Sequence, residues 1–304
     1  MSVAKYPAGK ISADGIRSMI VLKDLCYIRL GTGDLAGAEQ FTTNIVGLQA
    51  IRKSADRLYL RSNYRDHTLC YFKGDPSDHM VGIELKDWHG LEASMSLLDK
   101  AGYACTRGTA EEIEDRRVED FCWFKDPTGN RIELVVRPHD ANRRYFPSRD
   151  AGVVGLGHIG LNSTDPARDE AFWTTHFNIK VSDWIGGCPL LRMKDVHHQI
   201  ALFPTTKPGV QHINHQVEEI DDVMRSWYFF QEQQIKIVFG PGRHATSGGY
   251  FLYYDGHDGM VFEYSNSDRF IIEDDENYRP RQFPMSAESF CVWGSKPDIP
   301  EFQP

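Results

Sequence analysis

The sequence lacks the features that would assign a protein to a membrane, to a secreted class or to nucleic acid. It has no run of about 18 or more apolar residues, so we expect no membrane-spanning helix. Its first residues include no apolar core of the kind that a signal peptide needs. A long basic run is also absent and the formal net charge is −9, so no binding to nucleic acid is expected.

Cysteine is scarce and scattered, and the six cysteines form no CxxC pair. Together with the missing apolar leader, this indicates reduced and mostly buried thiols in a cytoplasmic protein. A disulfide pair is the less favoured alternative. The cysteines are Cys26, Cys70, Cys105, Cys122, Cys188 and Cys291.

The sequence does contain a long internal repeat. Its 304 residues suffice for two ordinary domains or one large one. Three segments of the first half align with three segments of the second half at nearly one offset, about 131 residues. The chain is therefore interpreted as a duplicated domain. The aligned pairs are 25–48 with 156–179, 80–87 with 212–219, and 126–135 with 256–265.

Each half divides again into two similar units. A short alternating strand is followed by a turn with an aspartate, an amphipathic helix and further strands. This pattern predicts an α+β fold of tandem βαβββ modules, two per domain, with each domain an incomplete β-barrel. The expected divisions are a metal-free N-terminal domain (1–140), a linker (141–153), a catalytic domain (154–268) and a C-terminal tail (269–304).

Two histidines and a glutamate occupy repeat-equivalent strands of the second half. Alternate residues of a strand point to one face, so such residues can converge inside an incomplete barrel. Two imidazoles and a carboxylate on one face form the facial triad of non-haem Fe(II) oxygenases, which leaves positions open for substrate and O₂. The predicted ligands are His158, His212 and Glu263, and the residues that match them in the first half are Tyr27, Met80 and Glu133.

Tyr27 and Met80 cannot replace two histidines on Fe(II), so we expect one metal site, in the second half only. His215 competes with His212 for the role of ligand, but the two differ by three positions and lie on opposite strand faces. The register against Met80 selects His212. The alternative is that these histidines only satisfy hydrogen bonds in the core. The other histidines, including His197 and His257, are interpreted as surface or packing residues.

The segments around the predicted ligands resemble the two-domain extradiol dioxygenases of the vicinal oxygen chelate superfamily, the group of 2,3-dihydroxybiphenyl 1,2-dioxygenase and catechol 2,3-dioxygenase. The resemblance covers residues 18–266 and rests on GHIGLNSTD, HHQIALFP and QHINHQVEEIDDV. It rests most heavily on GRHATSGGYFLYYDGHDGMVFE, which resembles the family signature. In the first half, DRRVEDFCWFKDPTGNRIEL is similar to the metal-free domain of these enzymes.

This resemblance implies an Fe(II)-dependent enzyme, with Mn(II) less favoured, that inserts both atoms of O₂ into a catechol next to the diol. It implies that His198 transfers protons, for which imidazole is suited near neutral pH. It also implies that His244 and Tyr253 hydrogen-bond the substrate oxygens; a strand-end histidine and a core tyrosine are the simpler readings of these two. The expected partners are a catecholic substrate, O₂ and further copies of the chain in a homo-oligomer.

Some residues depart from the family pattern and bear on substrate size. Gly160 is smaller than the apolar residue often found at its position and lies on the face of His158, so we expect extra room beside the metal. Gly256 and His257 alter the loop before Glu263, which should border the pocket. These changes favour a substituted, bulky catechol. The aromatic residues of the tail could add apolar wall: Phe290, Trp293 and Phe302.

Two other functions are alternatives to ring cleavage. One is another metalloenzyme of the superfamily, such as a glyoxalase, which would have no use for His198, His244 and Tyr253 together. The other is a non-catalytic binding protein of the same fold, which would need no metal ligands.

Overall fold

The computed structural model describes residues 19–266 and 271–303, which form two large sheets with helices packed against them. The first sheet has eight strands in the order β2-β3-β4-β1-β5-β8-β7-β6. Its strands are β1 (Leu22–Thr32), β2 (Gln49–Lys53), β3 (Arg57–Arg61), β4 (Leu69–Lys73), β5 (His79–Leu85), β6 (Thr106–Arg107), β7 (Val118–Lys125) and β8 (Arg131–Pro138). Its helices are α1 (Leu35–Asn44), α2 (Leu91–Lys100) and α3 (Ala110–Arg116).

The second sheet has nine strands in the order β14-β15-β16-β13-β9-β12-β11-β10-β17. Its strands are β9 (Val153–Ser163), β10 (Lys180–Ile185), β11 (Cys188–Arg192), β12 (Ile200–Pro204), β13 (Val210–Val217), β14 (Ile237–Arg243), β15 (Tyr250–Asp255), β16 (Val261–Asn266) and β17 (Arg281–Phe283). The accompanying helices are α4 (Pro166–His176), α5 (Ile220–Glu232) and α6 (Ala287–Phe290), with 3₁₀ turns at His257–Gly259 and Pro300–Phe302.

The two sheets repeat one topology. In the second sheet, the order β10-β11-β12-β9-β13-β16-β15-β14 corresponds strand by strand to the order β2-β3-β4-β1-β5-β8-β7-β6 of the first sheet. Strand β17 is an addition at the edge, beside β10. In both, the central strand lies parallel to one neighbour and antiparallel to the other: β1 between β4 and β5, β9 between β12 and β13. The predicted α+β fold of duplicated βαβββ modules is confirmed. Neither described sheet closes into a barrel.

The turn aspartates of the repeat act as helix caps. The side chain of Asp34 accepts a hydrogen bond from the backbone N–H of Gly37 at the start of α1. Asp165 does the same for Arg168 at the start of α4, where Pro166 occupies the first turn. Such caps satisfy backbone donors that a helix leaves unpaired, so each repeat specifies its helix start locally.

The two domains share one hydrophobic core. Helix α4 of the second domain packs Phe172 against Tyr103 of the first, with ring centroids 4.5 Å apart. Helix α1 of the first domain packs Phe41 against Phe262 of the second, at 5.7 Å. The connection between the sheets is tied to both domains, because Arg149 donates to the carbonyl of Ile45 and to the hydroxyl of Tyr264. The relative position of the domains is thereby fixed by packing.

None of the helices in the described ranges has the length and the apolar character needed to cross a membrane. All six cysteines are free thiols, and only Cys105 is not fully buried.

Candidate metal centre

The three predicted ligands lie side by side on the central strands of the second sheet. His158 is on β9, His212 on β13 and Glu263 on β16, and their candidate ligand atoms all lie within 4.8 Å of one another. Nε2 of His158 is 2.8 Å from Oε2 of Glu263, and Nε2 of His212 is 3.6 Å from the same oxygen. The two imidazole rings stand at 88° to each other. The candidate ligand atoms of the three side chains therefore approach one point from different directions.

The hydrogen bonds around His212 suit a metal ligand. Its Nδ1 lies 2.5 Å from the amide oxygen of Gln211, which can only accept, so Nδ1 carries the proton. Nε2 therefore presents a lone pair, and this buried atom has no hydrogen-bond partner within the described ranges. Burial also lowers the pKa of His212 to about 3, which keeps the ring neutral. A neutral imidazole held by its other nitrogen is the usual form of a metal-binding histidine.

The first domain supplies an internal control for the buried glutamate. Glu133, the counterpart of Glu263, is fully buried and receives two 2.7 Å hydrogen bonds from the guanidinium of Arg116. Tyr27, the counterpart of His158, donates a third at 2.7 Å. Burial raises the pKa of Glu133, but Arg116 lowers it below the usual value. The charge of this carboxylate is thus compensated by Arg116, with a second arginine, Arg131, 3.1 Å from Oε1.

Glu263 is equally buried but has no such arginine. The basic groups within 4.0 Å of it in the described ranges are histidines only: His158, His212 and His244. Burial raises the pKa of Glu263, and the neighbouring imidazoles lower it to well below its ordinary value. A buried carboxylate is costly unless a cation pairs with it. A divalent metal ion fits this site because it would pair with Glu263 and occupy the lone pair of His212.

His198 lies beside the candidate ligands without being one of them. Its ring centroid is 4.3 Å from that of His158, and the side chain is half-buried at the end of the loop before β12. Its Nδ1 is 2.9 Å from Nδ1 of His197. Burial, with His158 and His197 nearby, lowers the pKa of His198 well below its ordinary value. A neutral imidazole at this place can accept a proton.

His244 and Tyr253 lie on the other side of Glu263 and contact each other. Nδ1 of His244 donates to the backbone carbonyl of Phe290 at 2.8 Å, and its Nε2 lies 3.4 Å from Oε1 of Glu263. The Tyr253 hydroxyl is 3.3 Å from this Nε2 and donates to it. Burial and the charge of Glu263 raise the pKa of Tyr253 well above its usual value. The phenol therefore stays a hydrogen-bond donor.

A cavity of about 30 Å³ adjoins these residues. Phe290 and Phe302 of the C-terminal segment form part of its wall, and their rings stack 4.8 Å apart. The tail was expected to add apolar wall, and these two residues do so, whereas Trp293 is 52% exposed and points elsewhere. The cavity is lined by His158, Ile185, Leu190, His198, Ala201, Phe203, His212, His244, Thr246, Tyr253, Phe290 and Phe302.

Two sequence-based expectations about the pocket are wrong. A Cβ at Gly160 would lie 2.4 Å from Nδ1 of His212, so the space beside this glycine is filled by the ligand imidazole and not open to substrate. His257 does not border the cavity: its Nε2 is 3.1 Å from the hydroxyl of Thr32, in a cleft between the domains. Local pattern could not show either contact, because each joins residues that lie far apart in the sequence or on different elements.

Sequence reasoning also missed two polar residues behind the site. His197, interpreted as a surface or packing residue, is buried and hydrogen-bonded to His198. Asp183 is fully buried and bonded to His197. The adjacent histidine pair was the available signal for His197. Nothing local marked Asp183, which lies on β10 and contacts His197 in the loop between β11 and β12.

Comparisons with known proteins find a matching family model and several relatives. Residues 155–264 match the profile of the Glyoxalase/Bleomycin resistance protein/Dioxygenase superfamily. An iron-dependent extradiol dioxygenase of Rhodococcus jostii (strain RHA1) is 26% identical over 295 residues, 90% of this chain and 96% of that protein. A manganese-dependent 2,3-dihydroxybiphenyl 1,2-dioxygenase of Geobacillus genomosp. 3 is 24% identical, over 75% of this chain and 79% of its own length.

A solved structure with the same fold is that of BphC, a halotolerant catechol dioxygenase. Its TM-score is 0.82 at 24% identity, over 93% of this chain and 97% of the other. The chain thus shares the fold of that structure, and its second half matches the model of the Glyoxalase/Bleomycin resistance protein/Dioxygenase superfamily.

Proposed function

We propose that this chain is an extradiol dioxygenase that opens the ring of a catechol next to its diol, in the catabolism of aromatic compounds. The observation that carries the proposal is the convergence of His158, His212 and Glu263 within 4.8 Å, on a face that leaves room for further ligands. The names of the relatives, iron-dependent extradiol dioxygenase among them, support the same reaction. Both oxygen atoms enter the product, so the reaction needs no external reductant.

In this proposal His158, His212 and Glu263 hold one Fe(II). The ion would supply the redox chemistry that allows O₂ to react with a catechol. The same donor set accepts Mn(II), on which one relative depends. Within the proposal of a divalent metal, Fe(II) is the more specific choice.

The neighbouring residues are assigned roles from their geometry. His198, protonated on Nδ1, has Nε2 available to take the proton of a substrate hydroxyl. Tyr253 and His244 would exchange their present contact for hydrogen bonds to substrate oxygens on the opposite side. The phenylalanine walls exclude water and hold the aromatic ring.

The cavity volume adds a conformational step to the proposal. A space of about 30 Å³ holds one or two water molecules but no aromatic ring. Phe302 comes from the C-terminal segment, which ends in a short 3₁₀ turn, and is the wall residue that depends least on the central strands. We infer that this segment moves outward when substrate enters.

The test is a ring-cleavage assay on the purified chain loaded anaerobically with Fe(II) or with Mn(II). Catechol, 3-methylcatechol and 2,3-dihydroxybiphenyl are each supplied with isotope-labelled O₂, and products are identified by absorbance and mass. We expect a yellow semialdehyde or ketone product that carries both labelled atoms. A muconic acid, or no ring cleavage with either metal, would refute the proposal.

We also propose a division into domains at 1–140 and 154–268, joined by 141–153, and a cytoplasmic homo-oligomer. Light scattering coupled to gel filtration tests the assembly: a mass equal to one chain would contradict it.

A further inference from the structure

A fully buried carboxylate, Asp183 on β10, lies behind the candidate proton-transfer residue and belongs to none of the roles assigned above. Its Oδ2 is 2.9 Å from Nε2 of His197. A carboxylate accepts hydrogen bonds, so Nε2 of His197 carries the proton. Burial lowers the pKa of His197, which keeps its ring neutral and leaves Nδ1 as an acceptor.

This tautomer of His197 determines that of the next residue. Nδ1 of His197 and Nδ1 of His198 are 2.9 Å apart, and since the first accepts, the second must donate. The lone pair of His198 is then on Nε2, the nitrogen at the far side of the ring. A directed chain of hydrogen bonds thus runs from His198 through His197 to Asp183.

The C-terminal segment fixes the far end of this chain. Arg281 on β17 donates to Asp183 from Nη2 at 2.6 Å, from Nε at 3.0 Å and from its backbone N–H at 2.8 Å. Its Nη2 also donates to the backbone carbonyl of Thr246 at 2.7 Å. Burial raises the pKa of Asp183, but His197 and Arg281 lower it below its usual value. Asp183 therefore remains an acceptor.

We propose that Asp183 and His197, held by Arg281 of the C-terminal segment, are positioning residues that fix the orientation and the tautomer of His198. The inference rests on the proposed function, because it concerns the proton-transfer residue of that reaction. It also makes strand β17, through Arg281, a part of the proposed active site. A carboxylate that orients a catalytic imidazole through its remote nitrogen is a general device, and its removal is expected to cost activity more than binding.

The first experiment compares His197→Ala with His197→Asn. The amide oxygen of asparagine can take the place of Nδ1 and accept from His198, whereas alanine offers no acceptor. We expect His197→Ala to lower kcat by about 10- to 100-fold with little change in KM or metal content, and His197→Asn to restore most of the loss. Equal losses in both variants, or none in alanine, would overturn the proposal.

The second experiment reads the tautomer directly and does not depend on turnover. Nitrogen NMR of the histidine-labelled, metal-free chain should show His198 protonated on Nδ1 in the wild type and a mixture of tautomers in His197→Ala. The same mixture in both proteins would contradict the positioning role. The two proposals can fail separately. If the NMR spectra show the expected tautomers but the wild type cleaves no catechol, the proposed function is wrong and the positioning of His198 by His197 is still supported.

The third experiment tests the contribution of β17. Arg281→Ala should lower kcat by about tenfold, Arg281→Lys should recover part of it, and Arg279→Ala should have no effect. Arg279 is a matched control because it is exposed and, among the residues that the structure describes, donates to backbone carbonyls of its own segment, those of Glu276 and Tyr278. Wild-type kcat in Arg281→Ala would separate β17 from the site. Thermal unfolding of each variant shows whether a loss of kcat is explained by lower stability alone.

Discussion

At the scale of single residues, Gly160 shows how one missing side chain shapes the candidate metal centre. Gly160 pairs with His212 across β9 and β13. A Cβ there would lie 2.4 Å from Nδ1 of His212 and 2.8 Å from the amide oxygen of Gln211. The glycine leaves room for the hydrogen bond between these two side chains, which orients the ring.

We therefore predict that Gly160→Ala weakens metal binding by about 10- to 100-fold, since a ligand loses its orienting partner. Metal titration of the apoprotein measures the effect. Gly155→Ala on the same strand is the control, because a Cβ there meets only the side chain of Asn63 at 3.4 Å, an ordinary contact. Equal affinities in the two variants would contradict the role given to Gly160.

His198 carries the second prediction at this scale. His198→Phe should retain the metal and bind catechol, but lose a factor of about 10² to 10⁴ in kcat, the usual contribution of a general acid or base. Metal content, substrate binding and single-turnover rates are measured on the same preparation. Loss of the metal would mean that His198 is a ligand and not a proton-transfer residue.

At the scale of elements, the C-terminal segment completes the second domain. Strand β17 extends the sheet beside β10, and Phe290 accepts the hydrogen bond of His244 through its backbone carbonyl. Phe302 lies 4.8 Å from Phe203, ring to ring, and forms part of the cavity wall. The width of the pocket is thus set by a segment outside the duplicated modules.

Phe302→Ala should enlarge the cavity and raise kcat/KM for 2,3-dihydroxybiphenyl relative to catechol by about tenfold or more, the range that pocket contacts provide. The ratio of the two kcat/KM values is the measurement. Trp293→Ala should leave the ratio unchanged, because that ring is 52% exposed and outside the cavity. A lower ratio in Phe302→Ala would show that the ring binds bulky substrates and does not exclude them.

At the scale of the whole molecule, the two duplicated halves surround an equivalent buried glutamate with different side chains. In the first domain Arg116 and Tyr27 hold Glu133. In the second domain histidines face Glu263 and a metal would supply the positive charge. The two halves therefore differ in the side chains that surround an equivalent buried glutamate: an arginine and a tyrosine in the first, histidines in the second.

Arg116→Met should destabilise the first domain by up to about 3–5 kcal/mol, because it removes the two guanidinium hydrogen bonds of the buried Glu133 and leaves Arg131, 3.1 Å away, as the cation paired with it. Glu133 has a lowered pKa when folded, so its contribution to stability is present above its ordinary pKa and is lost as the pH falls through the folded value. The difference between variant and wild type should accordingly shrink in acid. Denaturant unfolding at several pH values tests this. Arg137→Met, which breaks an exposed ion pair with Glu119, should cost less than about 1 kcal/mol.

Because histidines face the buried glutamate in the second half and not in the first, we predict one metal ion per chain. His212→Ala should abolish its binding, and Met80→Ala at the equivalent position should leave it intact, since Met80 contacts Arg116 and no candidate ligand. Metal analysis after dialysis decides the matter. Two ions per chain, or binding that survives His212→Ala, would contradict the assignment.

The sequence by itself determined the duplication, the fold class and the candidates for the metal site. These follow from short-range periodicity and from a constant offset, which hold wherever the strands finally lie. The aspartate caps of α1 and α4 are equally local. The choice of His212 over His215 came from the register against Met80, since the two histidines lie on opposite strand faces. In the structure His215 stacks on Phe262, with ring planes 12° apart.

Only the tertiary structure decided what surrounds these residues. Gly160 faces an imidazole of the next strand, His257 meets the first domain, and Arg281 reaches Asp183 from almost a hundred residues away. The place of Phe302 in the cavity wall is likewise set by the path of the C-terminal segment. Such contacts depend on strand register and on the packing of distant elements, which periodicity along the chain does not specify.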